Sequence, residues 1–174
     1  NTIIDNKFPS LVGDHPRLVI PFLNEKNELI AIQGRAFGDE NPKYVTIKID
    51  ENQKKIYGTD RVDWSRKVCV FEGPIDSLFI DNSIATAQSD LRVYKDNVVL
   101  VPDNEPRNFE IVKQIEKYIE ENFEVVIWPS DVKQKDVNEM IMSGKTIEDV
   151  KEIITRNSFS GLLARTKFIE WKKV

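Results

Sequence analysis

The sequence predicts an α/β protein with a doubly wound, mostly parallel sheet flanked by helices, preceded by a small mixed α+β lobe and followed by C-terminal helices. Three observations lead there. Short, continuously apolar runs at Val68 to Phe71, Val98 to Val101 and Val125 to Trp128 read as strands covered on both faces. Helical patterns separate them, as parallel strands require. Upstream, Tyr44, Thr46 and Lys48 alternate with Val45, Ile47 and Ile49, the period of a half-buried sheet.

The elements follow in order. Leu18 to Phe22 and Leu29 to Ile32, joined by the polar turn Asn24 to Asn27, read as a hairpin, and Tyr44 to Ile49 adds a third strand. This lobe is assigned to residues 1–66. After the Val68 strand, Pro74 opens a helix expected to carry Ile75, Leu78 and Phe79 inward, proline being harmless in a first turn. Ile84 to Ala87 is strand-like. A helix after Pro106 places Ile111, Ile115 and Ile119 on one stripe. The doubly wound unit is assigned to 67–145 and closing helices to 146–174. Thr146 with Asp149 three residues on resembles a capping box. The last helix, Phe159 to Trp171, is expected to set Leu162, Leu163, Phe168 and Ile169 against Arg165, Lys167, Lys172 and Lys173, either packing on the sheet or docking a partner.

Composition excludes several classes. With 174 residues, 40% of them hydrophobic and 31% charged, the chain can build a real core and is not disordered. Seven Gly, eight Pro and no repeated unit rule out collagen-like and solenoid architectures. No apolar run approaches the roughly 20 residues of a membrane span. The single cysteine, Cys69, excludes internal disulfides and cysteine-based zinc ribbons, fits a reducing, cytosolic setting, and reads as a core residue. No signal peptide opens the chain, and it begins at Asn1 with no initiator Met, so a longer polypeptide is expected. His15 and Trp64 read as loop and seam residues.

The net charge of −4 is unevenly spread. Residues 101–150 carry 12 acidic and 6 basic groups, whereas 151–174 carry 2 acidic and 6 basic. Solvated helix faces explain much of this. The position of particular acids suggests more. Glu72 follows one buried strand, Asp103 and Glu105 follow another, and Asp131 to Glu139 follow a third. In a parallel sheet all of these lie at the carboxyl edge, where ligands bind. Asp76 lies one helical turn after Glu72. Carboxylates gathered there repel one another unless a cation neutralises them, and hard oxygen donors select Mg²⁺ or Mn²⁺. Capping of helices by Asp103 and Asp136 is the alternative reading.

The run Phe71-Glu72-Gly73-Pro74-Ile75-Asp76-Ser77-Leu78, then Asp103-Asn104-Glu105, then Lys135-Asp136-Val137-Asn138-Glu139, resembles in content and order the TOPRIM domain of primases and topoisomerases. Within that group it is similar to the DNA primases of T-even-type bacteriophages. The upstream segments Arg17-Leu18-Val19-Ile20-Pro21, Gln33-Gly34-Arg35-Ala36, Pro42-Lys43-Tyr44 and Ile56-Tyr57-Gly58 resemble the lobe preceding TOPRIM in such primases.

The resemblance implies the catalytic RNA-polymerase part of a primase, without the family's zinc-binding module. It would make short RNA primers on single-stranded DNA by two-metal nucleotidyl transfer, in the cytoplasm of a bacterial host. It implies Glu72, Asp103, Glu105 and Lys43 as catalytic residues, and Asp76, Asp103, Glu105 and Asp136 as ligands for Mg²⁺ or Mn²⁺. Arg35, Lys43 and Arg17 would contact nucleotide or nucleic acid, with Lys54 and Lys55 extending that track. Asn138 stands where many relatives have an acid, and Glu105 where a second Asp is usual. The implied partners are single-stranded DNA, ribonucleoside triphosphates and the replicative helicase, and no membrane. Arg35 pairing with Asp39 or Glu40 at the surface is the plainer alternative. A TOPRIM nuclease and a non-catalytic recombination mediator are the rival functions.

Overall fold

The structure, a computed structural model, describes residues 16–174, so His15 and the start of the upstream lobe lie outside the described residues. Strands β1 (Arg17–Leu23), β2 (Leu29–Ala36) and β3 (Tyr44–Lys48) form an antiparallel sheet in that order. Asn24 makes the first turn: its Oδ1 accepts from the Lys26 and Glu28 N–H groups, while Asn27 takes a φ of 61°. The second strand outruns its apolar stretch, because Gln33 to Ala36 stay paired across to Ile20 to Arg17. Pro21 is tolerated since β1 is an edge strand.

One face of this sheet buries Ile20, Phe22 and Ala31. They meet Tyr57, whose ring lies edge-on to Phe22 with centroids 5.6 Å apart. Tyr57 also exchanges two backbone hydrogen bonds with Ala85, at 2.8 and 3.0 Å, and so ties the small sheet to the larger one. Gly58 follows at φ 89°, where a Cβ would fall 2.9 Å from the Ser83 carbonyl oxygen, so only glycine fits.

The larger sheet has the order β5-β4-β6-β7-β8. Strands β4 (Val68–Phe71), β5 (Ser83–Ala85), β6 (Val98–Val101) and β7 (Glu124–Val126) run parallel, and the two-residue β8 (Ser158–Phe159) pairs antiparallel to β7. The Val68 and Val98 runs form strands as read, every residue of β6 being buried, whereas the run at Val125 to Trp128 stops short: β7 ends at Val126, and Ile127 and Trp128 are buried beyond it. Cys69 lies within β4, where burial pushes its thiol up to about 11 and keeps it inert.

From β4 the chain crosses through helix α1 (Pro74–Ser77) to β5 on one side; from β6 it crosses through α2 (Phe109–Glu120) to β7 on the other. Right-handed crossovers in opposite directions put α1 and α2 on opposite faces of the sheet. The strand order therefore reverses between β4 and β6, which makes their carboxyl ends the crevice of the fold.

The helices α3 (Val137–Met142), α4 (Ile147–Arg156) and α5 (Gly161–Trp171) complete the layers, with α3 against α1 and α4, and α5 against α2. The stripe Ile111, Ile115 and Ile119 of α2 is buried, and Thr146 with Asp149 forms the capping box of α4. Two helix faces differ from expectation. In α1 the inward residues are Pro74 and Ser77, the Ser77 hydroxyl donating to the Pro74 carbonyl, and Leu78 is exposed. In α5 the buried stripe is Ala164, Phe168 and Trp171, leaving Leu162, Leu163 and Ile169 outside. Trp64 packs on Tyr94, with ring centroids 4.6 Å apart.

Candidate active site

The crevice between β4 and β6 gathers the predicted acids. Glu72 follows β4, and its backbone is held by the Ala87 N–H donating to the Glu72 carbonyl at 2.9 Å. Asp103 and Glu105 follow β6. Asp136 arrives at the N-terminus of α3, where its Oδ1 accepts from the Glu139 N–H at 2.8 Å. The capping reading thus holds for Asp136, which remains within the field of the others; α2 is capped instead by Asn108. Asp76 reaches across from α1, and its Oδ1 accepts the Asn138 N–H at 2.9 Å, so Asn138 enters the site through its backbone.

Electrostatics show that these groups share one environment. Burial lifts the Asp103 carboxyl to about 7, with Glu72, Asp76 and Asp136 adding to the lift and Lys135 opposing it. Burial raises Asp76 to about 6; the Asn138 bond opposes this and Asp136 reinforces it. Glu72 is also raised, by burial and by Glu105, against the pull of Lys135.

The sequence reading passed over Lys135 as a site residue, although it lies in the quoted Lys135-Asp136 motif. Its ammonium stands 3.4 Å from Asp103 Oδ2 and 3.6 Å from Glu105 Oε1. Burial works against that charge, but Asp103 and Glu105 outweigh it and hold the lysine above its ordinary value.

A hub of polar bonds fixes the loops that carry these groups. Trp128 Nε1 donates to the Pro102 carbonyl at 2.7 Å. Asn104 Nδ2 donates to the Val132 and Gln134 carbonyls, both at 3.0 Å, while Asn104 Oδ1 accepts from Trp171 Nε1 at 2.9 Å. The Lys173 N–H donates to the Pro106 carbonyl at 2.8 Å, so the end of α5 braces the Asp103 segment. Trp171 is thus a structural brace.

From the small sheet, Arg35 places its guanidinium carbon 5.8 Å from the centre of the Tyr44 ring and exerts its charge on Asp76. Burial raises the Tyr44 hydroxyl, and Asp76, Asp136 and Glu72 all act on it, so this end of β2 and β3 faces the acidic rim. Lys43 is exposed at the start of β3. Arg17 turns its guanidinium to the Pro42 carbonyl at 2.9 Å, an arrangement that positions the Lys43 loop. On the same strand, Thr46 and Lys48 line a cleft of about 730 Å³ with Lys54, Lys55, Gln88 and Arg92. Burial and Lys48 together lower the Lys55 ammonium.

A divalent cation suits this rim. The donors are hard oxygens, and their mutual repulsion would be relieved by a dication. Among the described residues no three His, Cys, Asp or Glu side chains already converge as a metal cage. The Lys135 ammonium lies between two of the acids instead.

Gly73 bears directly on this geometry. A Cβ there would fall 2.5 Å from Asp76 Oδ2, closer than real contacts allow, although the backbone φ of −91° suits any residue. The cost of Gly73→Ala is therefore steric. It is expected to push out the Asp76 carboxylate, break its bond to Asn138, and destabilise the protein by about 1–2 kcal/mol. Urea unfolding of Gly73→Ala in wild-type and Asp76→Ala backgrounds checks this, because the penalty should vanish once the carboxylate is gone.

No protein-family model matches the chain. Over an alignment of 181 residues that takes in all of this chain, it is 42% identical to the DNA primase of Enterobacteria phage T4, and spans 52% of that protein. It is 29% identical over 142 residues to the DNA primase of Thermotoga maritima, covering 69% of this chain and 25% of the relative. Among solved structures, the DnaG primase catalytic domain bound to single-stranded DNA superposes with a TM-score of 0.61 at 15% identity, covering 83% of this chain and 54% of that one. The chain thus corresponds to about half the length of its T4 relative. With that identity carried across the whole chain and the primase core fold recovered, the chain belongs to the T4-type DNA primases.

Proposed function

We propose that this chain is the nucleotide-joining part of a phage primase, which makes short RNA primers on single-stranded DNA from ribonucleoside triphosphates at the replication fork. The observation that carries the reading is the convergence of Glu72, Asp76, Asp103, Glu105 and Asp136, from three separate segments, on one crevice that faces Arg35 and Tyr44. In this reading 1–66 forms the N-terminal subdomain of the RNA-polymerase core, 67–145 the TOPRIM domain and 146–174 the closing helices that brace it. The replicative helicase is the expected partner, and the host cytoplasm the place of action.

Asp76, Asp103, Glu105 and Asp136 would hold two divalent ions, Mg²⁺ or Mn²⁺. Such ions, when bound, supply positive charge at the reacting phosphate and ease ionisation of the attacking 3′-hydroxyl. Glu72, partly buried and with its pKa raised by that burial, is suited to accept and release a proton. Arg35 offers a planar fork for phosphate, and Lys43 a flexible point charge. Arg17 keeps the Lys43 loop in place. The cleft lined by Lys48, Lys54, Lys55 and Arg92 continues along the same face of β3 and suits the template's phosphates.

Primer synthesis with labelled ribonucleotides in the full-length protein tests this. Glu72→Gln and Asp103→Asn are expected to lower product by about 10²- to 10³-fold. Equal product from wild type and both variants would end the catalytic assignment, and cutting of plasmid DNA in place of synthesis would favour the nuclease.

A further inference from the structure

The cation between Asp103 and Glu105 is anchored in an unusual way. The Lys135 backbone is pinned on both sides: its N–H donates to Glu139 Oε2 at 2.9 Å, and its carbonyl accepts the Asn104 N–H at 2.6 Å. Asn104 sits between the two acids that the lysine faces, so the lysine and the Asp103-Asn104-Glu105 segment are locked in register. The side chain itself is 46% exposed and spans two like charges at 3.4 and 3.6 Å. A flexible stem of this kind can swing into solvent without exposing a core.

We propose that Lys135 is a resident counter-ion of the acidic rim. It neutralises Asp103 and Glu105 while no divalent cation is bound, and its ammonium must leave before one binds. This inference rests on the reading of the rim as the metal site. Carboxylates that face each other without a cation would spring apart, and the fixed Lys135 backbone prevents that while leaving the charge free to depart. A dication offers the same oxygens twice the charge at one point, so it wins the competition at sufficient concentration. The lysine thereby holds the ligands near their working positions and sets the Mg²⁺ concentration at which they fill. Once displaced, its ammonium remains at the edge of the crevice, where triphosphate oxygens would arrive.

Calorimetric titration of Mg²⁺ at pH 8.5 into the protein tests this, alongside thermal unfolding in EDTA. Lys135→Met is expected to bind Mg²⁺ about tenfold more tightly than wild type, because a unit charge competing at the site is gone. It should also melt at a lower temperature when metal-free. Lys135→Gln serves as a second variant should Lys135→Met fold poorly, with the same expected tightening. A loosened site would bind Mg²⁺ more weakly, so tightening is a result that a merely structural lysine does not produce. Unchanged or weakened Mg²⁺ binding in a folded Lys135 variant overturns the proposal. Asp103→Asn separates the two layers: full Mg²⁺ affinity in that variant overturns the metal-site reading itself, whatever the lysine variants do.

Discussion

Replacing Asp103 with Asn is expected to stabilise the metal-free protein, and by more at pH 8 than at pH 5. The Asp103 side chain is only 20% exposed, and its folded pKa of about 7 lies well above the ordinary 3.8 of an aspartate in water. Between those values the folded state holds a proton that the unfolded chain has released. Stability contributed by this group is therefore present at low pH and is lost as pH rises through about 7. Asparagine does not titrate, so the gap between variant and wild type should open over that window and then level off. Linkage sets the gap at about 2–4 kcal/mol, the lower figure allowing for the lost pairing with Lys135. Urea unfolding in EDTA at several pH values measures it. A gap that stays flat from pH 5 to pH 8 would show that Asp103 is ionised without strain. On the proposed reading of the rim as a metal site, a variant better at folding is expected to be worse at priming.

Asn104→Ala should have a comparable effect of opposite sign. The side chain satisfies the Val132 and Gln134 carbonyls and the Trp171 indole N–H. Truncation leaves three polar groups to find new partners in a partly buried seam, which costs about 2–4 kcal/mol. It also releases the loop that holds Lys135 opposite Asp103, so activity should fall more than the loss of stability alone explains. The urea midpoint reports the first effect. A double-mutant cycle with Trp171→Phe reports the second interaction partner: if the two substitutions add without coupling, the bond between Asn104 and Trp171 contributes little.

Much of this site could be read from the chain. Glu72 and Asp103 end uninterrupted apolar runs, and topology alone places the ends of parallel neighbours together. The role of Asn104 could not be read, because its partners at 132, 134 and 171 are distant in sequence and two of them are backbone carbonyls. Lys135 was hidden for a similar reason: a lysine among acids reads as a solvated surface until coordinates show what it faces. Strand β8 escaped because two residues carry no period. The orientation of α5 was ambiguous from its composition. Leu162 and Ile169 offer one stripe, Ala164, Phe168 and Trp171 another, and hydrophobicity cannot choose between them. The Trp171 bond to Asn104 and the Lys173 bond to Pro106 fix the rotation, and the small Ala164 side chain lets the helix come close.

The crosswise pairing of Tyr57 with Ala85 bears on behaviour in concentrated solution. An exposed outermost strand invites a neighbouring molecule to continue the hydrogen-bond ladder, the route by which open sheets aggregate. Here one margin of the five-stranded sheet is occupied by the chain's own Tyr57, and the opposite margin is a strand of two residues, too brief to template a ladder. The polypeptide thus guards both flanks of its larger sheet against self-association, using a segment that also joins its two sheets.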